Sequence, residues 1–291
     1  MLRRPYTRLP LHHAIALGLA QGPTELLPVS SSAHTTLIPL LLDWPYGELD
    51  NEQRKSFEVA LHAGAGIALA LDMRHELGAA ARELNVSRVA VVGLSLAPAA
   101  LAGLLLRPLI ERRLGGPRAI AGGLGLGAGA MALADAVAHC GNRPHDDARL
   151  ADGAALGVAQ AVALAPGVSR YGATLTAARA RGFSPQAAQS LSWHAALPVM
   201  LGASALEGAR MARHPAPAGT TAPLLAGAGA AFASTLLSAR LLRRPQRALR
   251  SLAPWAFYRL GLAGLVLRRV PRSRTSRQSS NQSKSALAAR R

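Results

Sequence analysis

Cysteine occurs once in this chain, at Cys140, so neither an intrachain disulfide nor a multi-cysteine metal site is available to it. Aromatic residues make up only 4% and charged residues only 16%, while half of the composition is hydrophobic, drawn mostly from Ala, Leu and Val. The apolar residues lie in long uncharged runs. The stretch 89–106, VAVVGLSLAPAALAGLLL, carries no charge at all and reads as a membrane span. These absences argue against a soluble enzyme. Acidic residues are also few, 15 against 33 Lys+Arg, for a formal net charge of +18. Much of that excess sits in 268–291, RRVPRSRTSRQSSNQSKSALAARR, whose eight basic residues have no acidic counterpart. Such a Ser/Arg/Gln-rich tail cannot bury a core and is expected to be disordered. Basic residues flanking apolar spans point to anionic lipid headgroups as partners, not to nucleic acid.

Six stretches, 57–73, 89–106, 119–138, 187–206, 223–242 and 251–267, approach the ~20 residues that a helix needs to cross a bilayer. Two others, 11–42 and 152–182, are apolar at both ends but carry QGPTELLPVSSSAH and PGVSRYGAT in their middles. Their arms of roughly ten residues reach only ~15 Å at helical rise, about half the hydrocarbon thickness, so each reads as a re-entrant pair of half-helices. A turn of that kind must be buried in protein or line a wet cavity. The expected fold is thus all-α: a polytopic membrane protein with six transmembrane helices and two re-entrant helix-turn-helix segments. One integral-membrane domain, 1–267, is followed by the basic tail. Three spans after each re-entrant segment make half-repeats of about 11–139 and 152–267 with inverted topology, which brings the two polar turns together near the midplane. The plainer alternative is eight or more full spans with polar kinks. No cleavable signal peptide is expected, because the apolar stretch after MLRRPYTR is broken by His12, His13 and Gln21. The two sides carry nearly equal basic charge, so charge does not orient the chain. The sequence sets no oligomeric state.

The polar turns carry the chemistry. Gln21 and Glu25, four apart, share one face of a helix that continues to residue 25, and two hard oxygen ligands there suit a divalent cation. Glu25 is alternatively a helix-terminal carboxylate paired with an arginine. Ser30, Ser31 and Ser32 offer hydroxyls and backbone N–H groups to an anion at the start of the returning half-helix, or simply cap it. His34 is a candidate general acid or base, or a structural histidine. Arg170 brings a planar fork suited to phosphate oxygens, or pairs only with Glu25. A carboxylate, hydroxyls, a histidine and an arginine in a lipid-accessible pocket point to phosphoryl chemistry on a membrane-borne substrate.

QGPTELLPVSSSAH and PGVSRYGAT resemble the paired signatures of the undecaprenyl-diphosphate phosphatase family, the integral-membrane enzymes linked to bacitracin resistance. The similarity extends to FEVALHAGAGIALAL, GVAQAVALAPG, ALPVMLGASALE and PWAFYRL, covering roughly residues 11–267. The resemblance implies hydrolysis of undecaprenyl diphosphate to undecaprenyl phosphate and inorganic phosphate, recycling the lipid carrier of cell-wall synthesis. It also implies a polyprenyl diphosphate lipid substrate, a divalent cation, Mg2+ or Ca2+, and a pocket facing the outer side of the bacterial cytoplasmic (inner) membrane. By position, it makes Gln21 and Glu25 the metal ligands. Glu25, Ser31, His34 and Arg170 fall on catalytic positions, and Ser30, Ser169, Arg170 and Thr174 on phosphate-binding ones. The chain departs from the family's usual pattern in four places. Gln21 is glutamine at the motif's glutamate-or-glutamine position and lowers the site's negative charge, Ala33 stands where glycine is common, and His62 stands where glutamine is common. Tyr171 replaces a serine and is expected to narrow the phosphate pocket. A transporter or flippase of the same lipids is the rival reading, since inverted repeats with broken helices are also a transporter design. An inactive homologue with a scaffold role is a third. Whether Ser31 or an activated water is the nucleophile stays open.

Overall fold

A computed structural model of the protein describes residues 9–83, 85–137, 141–213, 220–242 and 250–270. From residue 271 on, the basic tail lies outside the described residues, as does Cys140. The chain is helical, in the order α1 (Leu11–Leu26), α2 (Ser31–Leu41), α3 (Asn51–Asp72), α4 (Arg74–Arg82), α5 (Val86–Leu114), α6 (Pro117–Val137), α7 (Leu150–Val162), α8 (Arg170–Ala180), α9 (Pro185–Arg213), α10 (Thr221–Leu242) and α11 (Ala253–Arg269). Among the described residues the only β pairing is an isolated bridge between Arg143 and Phe183.

Each of the six expected spans falls on one helix: α3, α5, α6, α9, α10 and α11. Of these, α5, α6 and α10 are long and apolar enough by themselves to cross a membrane, and α3 joins α4 across a 67° bend at Met73. Large hydrophobics such as Leu104, Leu105, Leu126, Leu133, Leu225 and Leu237 are exposed along these helices, as lipid contact requires and water disfavours. The protein is an all-α polytopic membrane protein.

The two broken segments become helical hairpins, α1–α2 and α7–α8. The first arm is longer than the sequence suggests: α1 has 16 residues and continues through Pro23. Both return helices begin at a serine in the left-handed region, Ser30 at φ 75° and Ser169 at φ 69°. Such a backbone costs a non-glycine residue about 1–3 kcal/mol and is kept where the surroundings hold it. Here each serine caps its helix, Ser30 Oγ accepting from the Ala33 N–H and Ser169 Oγ from the Gly172 N–H.

The packing obeys the inverted repeat. α1 lies along α10 and α7 lies along α5, while α6 and α11 pair at the centre. Gly18 makes the first contact close, against the Gly227 carbonyl, and Gly157 makes the second, against the Leu94 carbonyl; a Cβ at either would collide with backbone. The base of the second hairpin is tied by Asp152, whose carboxylate accepts from Arg143 Nη2 at 2.8 Å, Arg181 Nε at 2.7 Å and the Arg149 N–H at 2.9 Å.

Contacts between helix ends sort the chain into two faces. On one, Arg269 pairs with Asp43, and Arg118 donates to the Val270 carbonyl. On the other, Arg88 pairs with Asp146, and Asp135 accepts from the N–H groups of Leu252 and Ala253 at the start of α11. The first hairpin opens on the Asp43 face, and the second opens on the face of Asp146.

Candidate active site

The end of α1 and the starts of α2 and α8 meet at one carboxylate. Because α1 stays helical to Leu26, Gln21 and Glu25 stack on one face, and Gln21 Nε2 donates to Glu25 Oε2 at 3.0 Å. Ser31, the first residue of α2, donates its hydroxyl to the same oxygen at 2.6 Å. Arg170, the first residue of α8 and 145 positions away in the chain, donates Nη2 to Glu25 Oε1 at 3.1 Å. The carboxylate itself is buried, at 6% exposure, whereas Arg170 keeps 22%, so the cation is the more accessible member of the pair. A buried carboxylate with a charge partner and two further hydrogen bonds is satisfied rather than stranded.

His34 belongs to an adjoining network. Its Nδ1 lies 2.8 Å from the Ser30 carbonyl, which can only accept, so Nδ1 carries the proton. Nε2 therefore accepts from the Tyr258 hydroxyl at 2.7 Å, and the two rings stack with centroids 5.8 Å apart. Thr174 lies fully buried one turn into α8, its hydroxyl donating to the carbonyls of Arg170 and Tyr171. Ser30 and Ser169 are the capping serines described above. The structure thus gathers Gln21, Glu25, Ser31 and Arg170 around one carboxylate, sets His34 beside them through Ser30, and keeps the Thr174 hydroxyl on its own helix.

The expectation for Tyr171 is overturned. One residue on from Arg170, a helix turns by about 100°, and the phenol faces α9. It stacks on Trp193 with centroids 4.5 Å apart and is buried with Met131, Leu175 and Ala188, so it does not narrow the pocket.

Two neighbours of the site escaped the sequence reading, and a third was noted there only as a departure from the family pattern. Tyr258 is one. Arg259 is another: fully buried on α11, it donates to the carbonyls of Pro28, Gly123, Gly167 and Val168. Pro28 belongs to the first turn, and Gly167 and Val168 belong to the second, so one guanidinium holds both. An arginine inside an apolar span is costly and functional by default, the signal that singled out Arg170. The third is His62 on α3, whose Nε2 lies 3.6 Å from Glu25 Oε2.

Among the described residues, no three His, Cys, Asp or Glu side chains cluster as a metal site. A hard divalent cation needs less when phosphate oxygens complete its shell: one or two carboxylates and neutral oxygens suffice. Glu25 supplies the carboxylate. Gln21 Oε1, buried with no hydrogen-bond partner, supplies the neutral oxygen, and in this sense the donor set fits.

The chain matches the family described as bacitracin resistance protein BacA over residues 14–265. It is 38% identical over 270 residues to the undecaprenyl-diphosphatase of Geobacter sulfurreducens, covering 88% of this chain and 96% of that protein. To the undecaprenyl-diphosphatase of Geobacter metallireducens it is 39% identical over 267 residues, 87% and 95% of the two chains. The undecaprenyl-diphosphatase of Thioalkalivibrio sulfidiphilus is 34% identical over 270 residues, 88% and 98% of the two. The match runs through both hairpins and nearly all the spans around them, and the chain belongs to the bacitracin resistance protein BacA family.

Proposed function

We propose that this protein is a membrane phosphatase that hydrolyses undecaprenyl diphosphate to undecaprenyl phosphate and inorganic phosphate, recycling the lipid carrier of cell-wall synthesis. One observation carries the reading: the Ser31 hydroxyl donates to Glu25 at 2.6 Å while Arg170, from the opposite hairpin, holds the same carboxylate. Binding and carrying an anion needs the arginine but has no use for a hydroxyl hydrogen-bonded to a base, so the arrangement favours catalysis over transport. The names of the relatives agree with it.

In this mechanism Ser31 Oγ attacks the terminal phosphorus, and Glu25 takes its proton. The bond from that phosphorus to the bridging oxygen breaks, and undecaprenyl phosphate leaves. Water then cleaves the phosphoserine, returning the hydroxyl to Ser31 and releasing inorganic phosphate. Arg170 turns from Glu25 to the terminal phosphoryl oxygens, where its charge counts most as negative charge spreads over them. The N–H groups at the starts of α2 and α8, ordered by the Ser30 and Ser169 caps, offer further donors to the phosphates. His34 takes the proton of the incoming water on Nε2 once the Tyr258 hydroxyl that occupies its lone pair gives way. Gln21 and Glu25 would hold the divalent cation, Mg2+ or Ca2+ in the family pattern, which when bound polarises phosphate oxygens as a Lewis acid.

On this reading the protein sits in the bacterial cytoplasmic (inner) membrane with its pocket toward the outer face, and its partners are lipids and not nucleic acid. Detergent-purified protein should release phosphate from undecaprenyl diphosphate, and EDTA should abolish the release. Ser31→Ala should lose activity by ~10³-fold or more. Acid-quenched wild-type enzyme should carry phosphate on Ser31. Near-normal turnover by Ser31→Ala would return the nucleophile to water, and no phosphate release by the wild type would defeat the whole reading.

A further inference from the structure

Two acceptor atoms face one another at the edge of the site. His62 donates Nδ1–H to the Glu58 carbonyl at 2.8 Å, which fixes its proton on that nitrogen and leaves a lone pair on Nε2. That nitrogen lies 3.6 Å from Glu25 Oε2. That is beyond a hydrogen bond, but it is close to the separation of two ligands that each lie ~2.0–2.2 Å from a shared cation. Arg170 does not lie between them, because its Nη2 bonds the other carboxylate oxygen. A third acceptor, Gln21 Oε1, is buried without a partner on the residue that bonds the same Oε2. Gln21 turns Nε2 and not Oε1 to Glu25, so the facing pair is His62 Nε2 and Glu25 Oε2, which repel unless something positive joins them.

We infer that His62 Nε2, Glu25 Oε2 and, with its amide turned over, Gln21 Oε1 form a mixed nitrogen–oxygen site for a borderline divalent cation, Co2+ or Zn2+, in preference to Mg2+ or Ca2+. Mg2+ and Ca2+ are hard ions that take oxygen, most strongly anionic oxygen, whereas imidazole nitrogen favours first-row transition metals and Zn2+. This chain has one carboxylate at the site, the uncharged choice at a glutamate-or-glutamine position, and an imidazole where the family commonly has an amide. Both features push the same way: less negative charge and one softer donor. The side chains contribute at most three ligands, leaving the rest of the shell to phosphate oxygens. The inference deepens the phosphatase reading and rests on it for the role of the cation, but the donor geometry stands apart from turnover. The competing occupant is a proton on Nε2, which would make His62 and Glu25 a plain ion pair.

The test loads the full-length, detergent-purified protein with Mn2+ and records pulsed EPR. Coupling to an imidazole 14N is expected in the wild type and should vanish in His62→Gln. In the same variant Mn2+ affinity should fall about tenfold or more. Zn2+ should displace Mn2+ from the wild type at concentrations well below those of Mg2+. If His62→Gln misfolds, His62→Asn serves, and the wild-type spectrum decides without either. A wild type with no nitrogen coupling, coupling that survives both substitutions, or Mg2+ competing as well as Zn2+ would overturn the site. Phosphate release measured on the same samples separates the two ideas. Coupling without hydrolysis keeps the cation site and removes the phosphatase, whereas hydrolysis without coupling removes the site alone.

Discussion

Arg170 reaches Glu25 through one nitrogen, and the rest of its guanidinium stays available because the side chain is 22% exposed. Lysine would keep the charge but lose the planar fork, so Arg170→Lys should be nearly as damaging as Arg170→Ala, about 10²-fold or more in kcat. Retention of most activity by a folded Lys variant would reduce Arg170 to a counter-ion. Tyr258 acts at one remove, through His34 Nε2. Tyr258→Phe removes the donor without removing the ring that stacks on His34, so the expected signature is a changed pH profile of kcat with KM little altered. An unchanged profile would make Tyr258 a packing residue. Gln21 can be tested by adding charge: Gln21→Glu supplies a second carboxylate one turn from Glu25, and the affinity for Mg2+ and Ca2+, read by calorimetry, should rise.

At the level of elements, the sequence declared whatever is local. The four-residue spacing of Gln21 and Glu25, the apolar runs and the two polar breaks each sit within one segment, and all became the expected helices and turns. The meeting of Arg170 with Glu25 was legible only through topology, because an odd number of spans inverts the second half. His62, Tyr258 and Arg259 come from α3 and α11, and no local pattern announces which turn they face. Arg259 had a signal, its charge within an apolar span, but its partners are backbone carbonyls, which no side-chain motif reveals. That makes α11 the tie between hairpins. Arg259→Leu would strand several buried carbonyls at about 1–3 kcal/mol each, so both thermal stability in detergent and activity should fall sharply. The small residues explain the rest of the hairpin placement. Gln160 and Gly157 stand in the second hairpin where Gln21 and Gly18 stand in the first, each counted back from its capping serine. Gln160, however, spends its amide on the carbonyls of Ser95 and Ala195, so one copy became structural while the other faces Glu25.

Across the whole molecule the inverted repeat makes a demand that no single helix makes: the two hairpins must open on opposite faces while their turns touch. The Asp43–Arg269 and Arg118–Val270 contacts put the mouth of the first hairpin, the α5–α6 connection and the end of α11 on one face. Arg88–Asp146, and the capping of α11 by Asp135, put the mouth of the second hairpin and the start of α11 on the other. Single cysteines in a Cys140→Ala background can read this directly with a membrane-impermeant thiol reagent. Gly47 and Gly116 are exposed with open space where a Cβ would stand, and Asn142 is exposed beside the second mouth. Gly47→Cys and Gly116→Cys should label together from one side of sealed vesicles, and Asn142→Cys should label only from the other. Eight full spans in place of six would give a different pattern. If 11–42 crossed the bilayer twice completely, its turn would reach the opposite surface, and a cysteine at Leu27 or Pro28 would label with Asn142→Cys. With Pro28 instead buried and its carbonyl held by Arg259, a cysteine at that position should resist the reagent from both sides. Rapid labelling of that turn from one face of an active protein would remove the re-entrant hairpin, and with it the meeting of Glu25 and Arg170 on which the catalytic reading depends.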